Sequence, residues 1–360
     1  MTLNRSSRRR GRLLSRNVRL TALCLTALLA AGCATSPELP PAPAATTRVH
    51  KDTPAPARAP LIARDDEFAI VAVGEGDDLQ ALAHHYLGSA DLAWRIAELN
   101  DIERVQRGQT VVIPLRERNA VGVHANGYQT VPILCYHRFG PKATKLTVTK
   151  AAFEAQMEYL ARNGYHVVPL AQLRRFLQAK EPLPRKTVAI SIDDGYRSAF
   201  EVAYPVLRKH GFPATVFLYS DFVGAPDALT WPQMKEMIAS GLVEVQPHSK
   251  SHSKLTQKQP DESDARYRER IRREVETPVN LIRDRLDLSS ATFAYPYGDV
   301  NETVVSELER SGVPVGVTVT PGGNGFFAHP YMLRRSMIFG NEDLAAFKAK
   351  LATFTRVGNR

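Results

Sequence analysis

The chain has 360 residues, 44% of them apolar, and a formal charge of +10. That length and apolar content exclude a disordered chain and suffice for a full core and more than one domain. The charge does not imply a polyanionic partner: Arg5, Arg8, Arg9, Arg10, Arg12, Arg16 and Arg19 stand in an acid-free first 33 residues, without them only +3 remains, and with no basic stripe elsewhere nucleic acid is excluded.

The first 33 residues read as an export signal. After the arginines comes "LTALCLTALLAAG", Leu20 to Gly32, too short for the roughly 20 residues that span a bilayer. Its end, "LLAAGC", resembles a bacterial lipoprotein signal, in which the Cys is lipidated. Ala30 stands where such signals more often carry Leu, which leaves ordinary cleavage as the alternative. Lipidation of Cys33 would anchor the protein to a membrane of the cell envelope, the outer membrane or the periplasmic side in a Gram-negative source, since several acyl chains hold where one binds only marginally. Cys24 would leave with the signal, so Cys135 remains, inside the apolar run "VPILCYH". It reads as a small buried hydrophobe, and no disulfide framework can form.

Residues 34 to 65 hold seven prolines among Ala and Thr and read as a semi-extended tether, reaching roughly 100 Å at most at about 3.1 Å per residue. Next, "FAIVAV" reads as a strand, "DDLQALAHHYLG" and "SADLAWRIAELN" as short amphipathic helices, and "QTVVIP" as a strand stopped by Pro114. Asp77 or Asp78 can cap the first helix and Ser89 the second. His84 and His85 are about 100° apart on a helix and poor joint ligands. On "VGEGDDLQALAHHY", "IAELN" and "RGQTVVIP", residues 66–115 resemble the LysM module, which implies binding of N-acetylglucosamine-containing glycans such as peptidoglycan; a small adaptor that binds nothing is the competing reading.

Residues 116–128 read as a second linker. Thereafter strand-like and helix-like segments alternate over residues 129–357, from "QTVPILCYH" through "TVAISIDDG", "PATVFLY", "LVEVQPHS" and "ATFAYPYG" to a final helix from Asn341. This predicts an α/β fold, either a barrel or a doubly wound sheet. The segment 261–286 is dense in mixed charge at helical spacing and reads as a solvated helix face. "PGGNG" lacks the tail of a phosphate loop and reads as a turn.

Chemistry gathers at the strand ends. In "TVAISIDDG" the apolar run reaches Ile192, and Asp193 and Asp194 follow with Gly195 allowing a sharp exit. Adjacent acids are tolerable where a cation neutralises one, which leaves the other free to act as a base; a helix-capping turn is the structural alternative. "VEVQPHSKSH" supplies His248 and His252 at i, i+4, a spacing that predicts one side of a helical turn. Two His and one Asp suit zinc or a related divalent ion, cobalt or nickel being the alternatives. His137 also ends an apolar strand and belongs on the same rim, unless it is a buried structural His. His166, His210 and His329 have no partner motif. Trp231 and Tyr297 are candidates for stacking on a sugar ring, or core residues.

The pieces "SIDDG" and "HSKSH" resemble the NodB-type polysaccharide deacetylases, metal-dependent hydrolases that remove N-acetyl groups from N-acetylglucosamine polymers. That resemblance implies a distorted (β/α) barrel, Asp193 as catalytic base, and Asp194, His248 and His252 as metal ligands. Two departures stand out. Ala294 in "AYPYG" occupies the place of an Arg that holds the base, and no late "L-x-H" supplies the acid. Both losses recur in the branch that resembles the poly-N-acetylglucosamine deacetylases, whose early "YH" and late "L-P-R-I" appear here as "PILCYHRFG" and "YMLRRSM". The resemblance then implies His137 as the acid, Arg335 as partner of the base, and a backbone N–H near Tyr297 as oxyanion donor.

The expectation is a lipid-anchored envelope N-deacetylase acting on peptidoglycan or a poly-N-acetylglucosamine exopolysaccharide. The alternatives are a non-catalytic protein that crosslinks glycan through both domains, and a metal-dependent hydrolase of a peptide or ester bond.

Overall fold

The computed structural model describes residues 59–117 and 119–357. The signal-like segment with Cys33, and residues 34 to 58 of the expected tether, lie outside the described residues.

In the N-terminal module Phe68–Ala72 pairs antiparallel with Thr110–Pro114, and helices Leu79–Leu87 and Ala93–Asn100 intervene. Alternate strand residues Ala69, Val71, Val111 and Ile113 meet Leu82, Ala83 and Ile96 of the helices in one small core, the period-two face of a strand pair against a helical stripe. Asp78 caps the first helix by accepting from the Ala81 N–H. Asn100 fastens the second helix to the sheet, donating to the carbonyls of Ile96 and Val112 and accepting from the Val112 N–H. The expected second helix divides: Ser89 caps a 3-10 turn, Ala90–Leu92, before it begins. The tether also ends earlier than its composition suggests. Leu61–Arg64 is a strand antiparallel to Phe68–Ala72, and Ala59 joins the core. Pro60 is the last proline of the run, so every residue after it carries an N–H for the ladder.

In the larger unit, Val131–Tyr136, Thr187–Ile192, Ala214–Leu218 and Val243–Pro247 pair in parallel in chain order, and Ser336–Met337 adds to the free side of the first. Phe293–Ala294 pairs in parallel with Gly316–Val317, and a bridge from Val317 to Leu333 leads back towards Ser336. Among the described residues no backbone ladder joins Val243–Pro247 to Phe293–Ala294. Side chains span that step: Gln246 Oε1 accepts from the N–H groups of Ala291 and Thr292, and the His248 ring bonds the Ala294 carbonyl. The expected α/β class is met: the strands are set in two ladders around a ring, joined on one side by the single Val317–Leu333 bridge and on the other by side chains, and no continuous barrel ladder closes among the described residues.

Alternation along the strands divides the apolar residues between two cores. Ile133, Ala189, Phe217, Ala294 and Val317 from five different strands share one cluster inside the ring. Leu134, Val188, Ile190, Val216 and Val245 face outward, under helices Lys150–Arg162, Tyr204–His210 and Trp231–Ala239. Strand parity therefore decides which side chains at a strand's end look into the ring.

One further expectation is corrected and another is met and extended. Residues 116–128 are not a plain linker: Val123–His124 and Gly127–Gln129 form an antiparallel sheet with the late strand Phe354–Arg356. The two-residue loop Ala125–Asn126 joins the first two strands, and Gly127 opens the second, where a Cβ would lie 2.2 Å from the Thr355 carbonyl oxygen. The charged segment forms helix Asp264–Leu286, exposed along one side, but Tyr267, Ile271, Glu274, Val275, Pro278, Ile282 and Leu286 are buried along the other.

Candidate active site

Parity brings the site together. Asp193 continues the inward positions Ala189 and Ser191, His248 continues Glu244 and Gln246, and His137 continues Ile133 and Cys135. The ladder itself runs one residue past two strands, the Asp193 N–H donating to the Tyr136 carbonyl at 2.8 Å and the His248 N–H to the Leu218 carbonyl at 2.7 Å. By the same parity Asp194 would point outward. Its backbone is left-handed at φ 73°, as is that of Gly195 at φ 76°, and this double bend returns the Asp194 side chain to the rim.

Asp193 is buried and held by a fully buried Arg335. The guanidinium donates to both carboxylate oxygens, Nη1 to Oδ1 at 2.6 Å and Nη2 to Oδ2 at 2.7 Å. Arg335 is itself oriented by the Thr318 carbonyl, which accepts from Nε at 2.8 Å, and by Ser191 Oγ at 3.2 Å. Burial alone would raise the Asp193 pKa, but the charge of the Arg335 guanidinium and its hydrogen bonds outweigh it and hold the carboxyl far below the usual carboxylate range. Asp194 has no such partner: burial raises it to about 6, with the His137 charge opposing and Asp193 adding to the rise.

His248 donates from Nδ1 to the Ala294 carbonyl at 2.8 Å. A carbonyl can only accept, so the neutral ring presents an unprotonated Nε2 to the site; burial pushes its pKa down to about 3 despite the opposing pull of Asp193. Nε2 lies 3.6 Å from Asp194 Oδ1, and His252 Nε2 lies 3.4 Å from the same oxygen. Burial lowers His252 as well. Asp194 Oδ1 is buried without a hydrogen-bond partner. Corner atoms of a tetrahedron with bonds of about 2.0–2.1 Å stand about 3.4 Å apart. An unpartnered carboxylate oxygen and imidazole nitrogens at that spacing fit a divalent cation, and Asp194, His248 and His252 are the residues able to hold it.

The two histidines do not share a helix. Pro247 ends its strand, Ser249 and His252 are left-handed at φ 71° and 57°, and the His252 N–H returns to Ser249 Oγ at 2.9 Å. A compact turn performs the convergence that the i, i+4 spacing assigned to a helical turn. A second close group, Cys135, His137 and Asp193, cannot take a cation in the same way, because Arg335 already engages both Asp193 oxygens. His137 is half-buried beside Asp193 with Nδ1 unpartnered.

Tyr297 stands at the mouth, 54% exposed, its ring 4.8 Å from His252 and its backbone left-handed at φ 62°. Trp231 is not part of this group: it opens helix Trp231–Ala239 and packs against the main core, the second of the two roles its sequence context allowed. Three contributors escaped the sequence. Cys135 puts Sγ 3.6 Å from Asp193 Oδ2; its spacing of two from His137 was the available signal. Tyr219 lies 5.3 Å from the His252 ring and stacks on Phe222, extending the aromatic rim, and Glu274 grips the turn between the histidines.

Residues 180–316 match the family model described as polysaccharide deacetylase. The chain is 31% identical over 219 residues to YxkH of Bacillus subtilis, named as a polysaccharide deacetylase, covering 61% of this chain and 75% of that protein. The chain belongs to the polysaccharide deacetylase family. Within it, this deacetylase is 26% identical over 259 residues to the poly-beta-1,6-N-acetyl-D-glucosamine N-deacetylase of Escherichia coli, covering 61% of this chain and 38% of that protein's length. IcaB from Ammonifex degensii superposes with a TM-score of 0.56 at 26% identity, over 63% of this chain and 97% of IcaB. Family membership makes the protein a deacetylating enzyme, which sets aside the non-catalytic alternative.

Proposed function

We propose that this enzyme hydrolyses N-acetyl groups on a poly-N-acetylglucosamine polysaccharide in the bacterial cell envelope, with Asp193 as base, His137 as acid and Asp194, His248 and His252 as the seat of a divalent metal, zinc being the first choice. The observation that carries the reading is the unpartnered Asp194 Oδ1 facing two imidazoles beside an ionised, Arg335-clamped Asp193. The relatives named for poly-beta-1,6-N-acetyl-D-glucosamine support the polymer, as does the pairing of an early His137 with a late Arg335 in place of an Arg at position 294.

Asp194, His248 and His252 would hold a divalent ion, which when bound would polarise an acetamide carbonyl and lower the pKa of a water. Asp193 Oδ2, 3.8 Å from His248 Nε2, faces that position and takes the water's proton as the new C–O bond forms. Arg335 keeps the carboxylate ionised and fixes its plane. His137 delivers a proton to the sugar nitrogen as the C–N bond breaks, so acetate and a free amine leave. Tyr297 offers its exposed ring for stacking on the sugar, and a backbone N–H beside it is the second oxyanion donor.

The proposal extends to an exported protein, lipid-anchored through Cys33, whose N-terminal module is a LysM-type domain holding it on peptidoglycan while another glycan is the substrate. The decisive assay is acetate release from purified β-1,6-linked poly-N-acetylglucosamine and from peptidoglycan, with and without a chelator. Chelator-sensitive release from the first is expected; release from peptidoglycan alone would reassign the polymer, and chelator-resistant release would remove the metal.

A further inference from the structure

The turn between the metal-ligand histidines is held from outside by a residue that the chemistry above does not use. Glu274 lies on the buried side of helix Asp264–Leu286 and is only 6% exposed. Its Oε2 accepts from the N–H groups of Lys250 at 3.1 Å and Ser251 at 2.9 Å, and its Oε1 from the Ser251 hydroxyl at 2.6 Å. No lysine or arginine forms an ion pair with it among the described residues. The next N–H, that of His252, goes to Ser249 Oγ, so three successive backbone donors converge on two side-chain acceptors. The opposite edge of the turn is tied to residues 220–221: Ser220 N–H donates to the Ser249 carbonyl at 3.2 Å and Asp221 N–H to the Lys250 carbonyl at 2.9 Å. Pro278, four residues on in the same helix, has no N–H for the Glu274 carbonyl and crowds it, loosening the helical turn that carries Glu274.

A buried carboxylate is costly unless its charge is answered. Glu274 is answered here by two backbone N–H groups and one hydroxyl of the turn, and a cation held by the histidines beside it would complement its negative charge.

We infer that Glu274 is a positioning residue of the metal centre: it fixes the 249–252 turn so that His248 and His252 converge, and supplies the outer negative charge that favours a divalent ion. This rests on the metal-centre reading of the site. Residues that orient metal ligands in this way typically change metal affinity 10–100-fold when replaced.

The test is the zinc dissociation constant of the purified full chain, read by competition with a chromophoric chelator, for wild type, Glu274→Ala, Glu274→Gln and Glu307→Gln. Glu307 is a comparably buried glutamate on the neighbouring helix Glu302–Arg310, and controls for loss of a buried acid as such. Glu274→Ala is expected to bind zinc about 10–100-fold more weakly. Glu274→Gln, which can keep a carbonyl acceptor but not the charge, should fall between it and wild type and regain turnover at saturating zinc; it also carries the test if the alanine variant does not fold. Glu307→Gln should bind as wild type does. Wild-type affinity in both Glu274 variants, or an equal loss in Glu307→Gln, overturns the inference while leaving the metal centre standing. Wild-type protein that binds no zinc would overturn both.

Discussion

Asp193 and Asp194 are adjacent yet live in opposite environments, one paired through both oxygens to a fully buried guanidinium, the other with a bare oxygen. The Asp193–Arg335 pair therefore has two jobs that substitution can separate. Asp193→Asn removes the base and leaves Arg335 charged in a dry site. Acetate release should fall by about 10²–10⁴-fold, stability by ~3 kcal/mol, and zinc binding should persist. Adding Arg335→Met to Asp193→Asn restores an uncharged core and should recover most of the stability without recovering turnover. A double variant that regains activity would remove Asp193 from the chemistry. The sign with pH follows from the depressed Asp193 pKa: its contribution is full above the unfolded value of about 3.9 and disappears as pH falls through the folded value. Denaturant unfolding at a series of pH values should show the gap between wild type and Asp193→Asn closing below about pH 4.

The strand-to-loop bends show what the sequence could and could not disclose. Strand ends, and hence the rim carrying His137, Asp193 and His248, were legible because apolar runs stop at the residue before the chemistry and side chains alternate. The path of "HSKSH" was not, since its convergence depends on left-handed Ser249 and His252 and on Glu274, more than twenty residues away in sequence, whose neighbours in a charge-dense helix disguise it. Closing pairs such as Phe354–Arg356 on Gly127–Gln129 were equally hidden, each strand being too short to show a period. The Asp194–Gly195 bend is the element most exposed to test. A Cβ on Gly195 would sit 3.1 Å from Leu218 Cβ at a backbone φ of 76°, a left-handed conformation that costs a non-glycine residue about 1–2 kcal/mol. Gly195→Ala is expected to rotate Asp194 away from the histidines and weaken zinc binding at least about tenfold, more than its loss in melting temperature would suggest. Zinc binding equal to wild type in that variant would mean that the bend does not place the ligand.

At the scale of the molecule, the N-terminal module and the catalytic unit meet through Glu98, whose carboxylate accepts from the Arg185 N–H at 2.7 Å and stands 3.6 Å from Arg185 Nε. The Arg185 side chain is 61% exposed, and a solvent-facing pair of this kind contributes ~1 kcal/mol or less. The strand Phe354–Arg356 is a different matter, since it shares three residue pairs with Gly127–Gln129 and its removal would bare a sheet edge. Two truncations should therefore diverge. Deleting residues 59–117 should leave the melting temperature and the turnover of short N-acetylglucosamine oligomers nearly unchanged, while retention on purified wall material drops. Ending the chain at residue 353 should do the reverse, lowering the melting temperature and promoting association through the bared strand, with wall retention kept by the folded module. If deleting the module instead abolished turnover of short oligomers, the module would belong to the catalytic machinery, and the division of labour between anchor and enzyme would have to be abandoned.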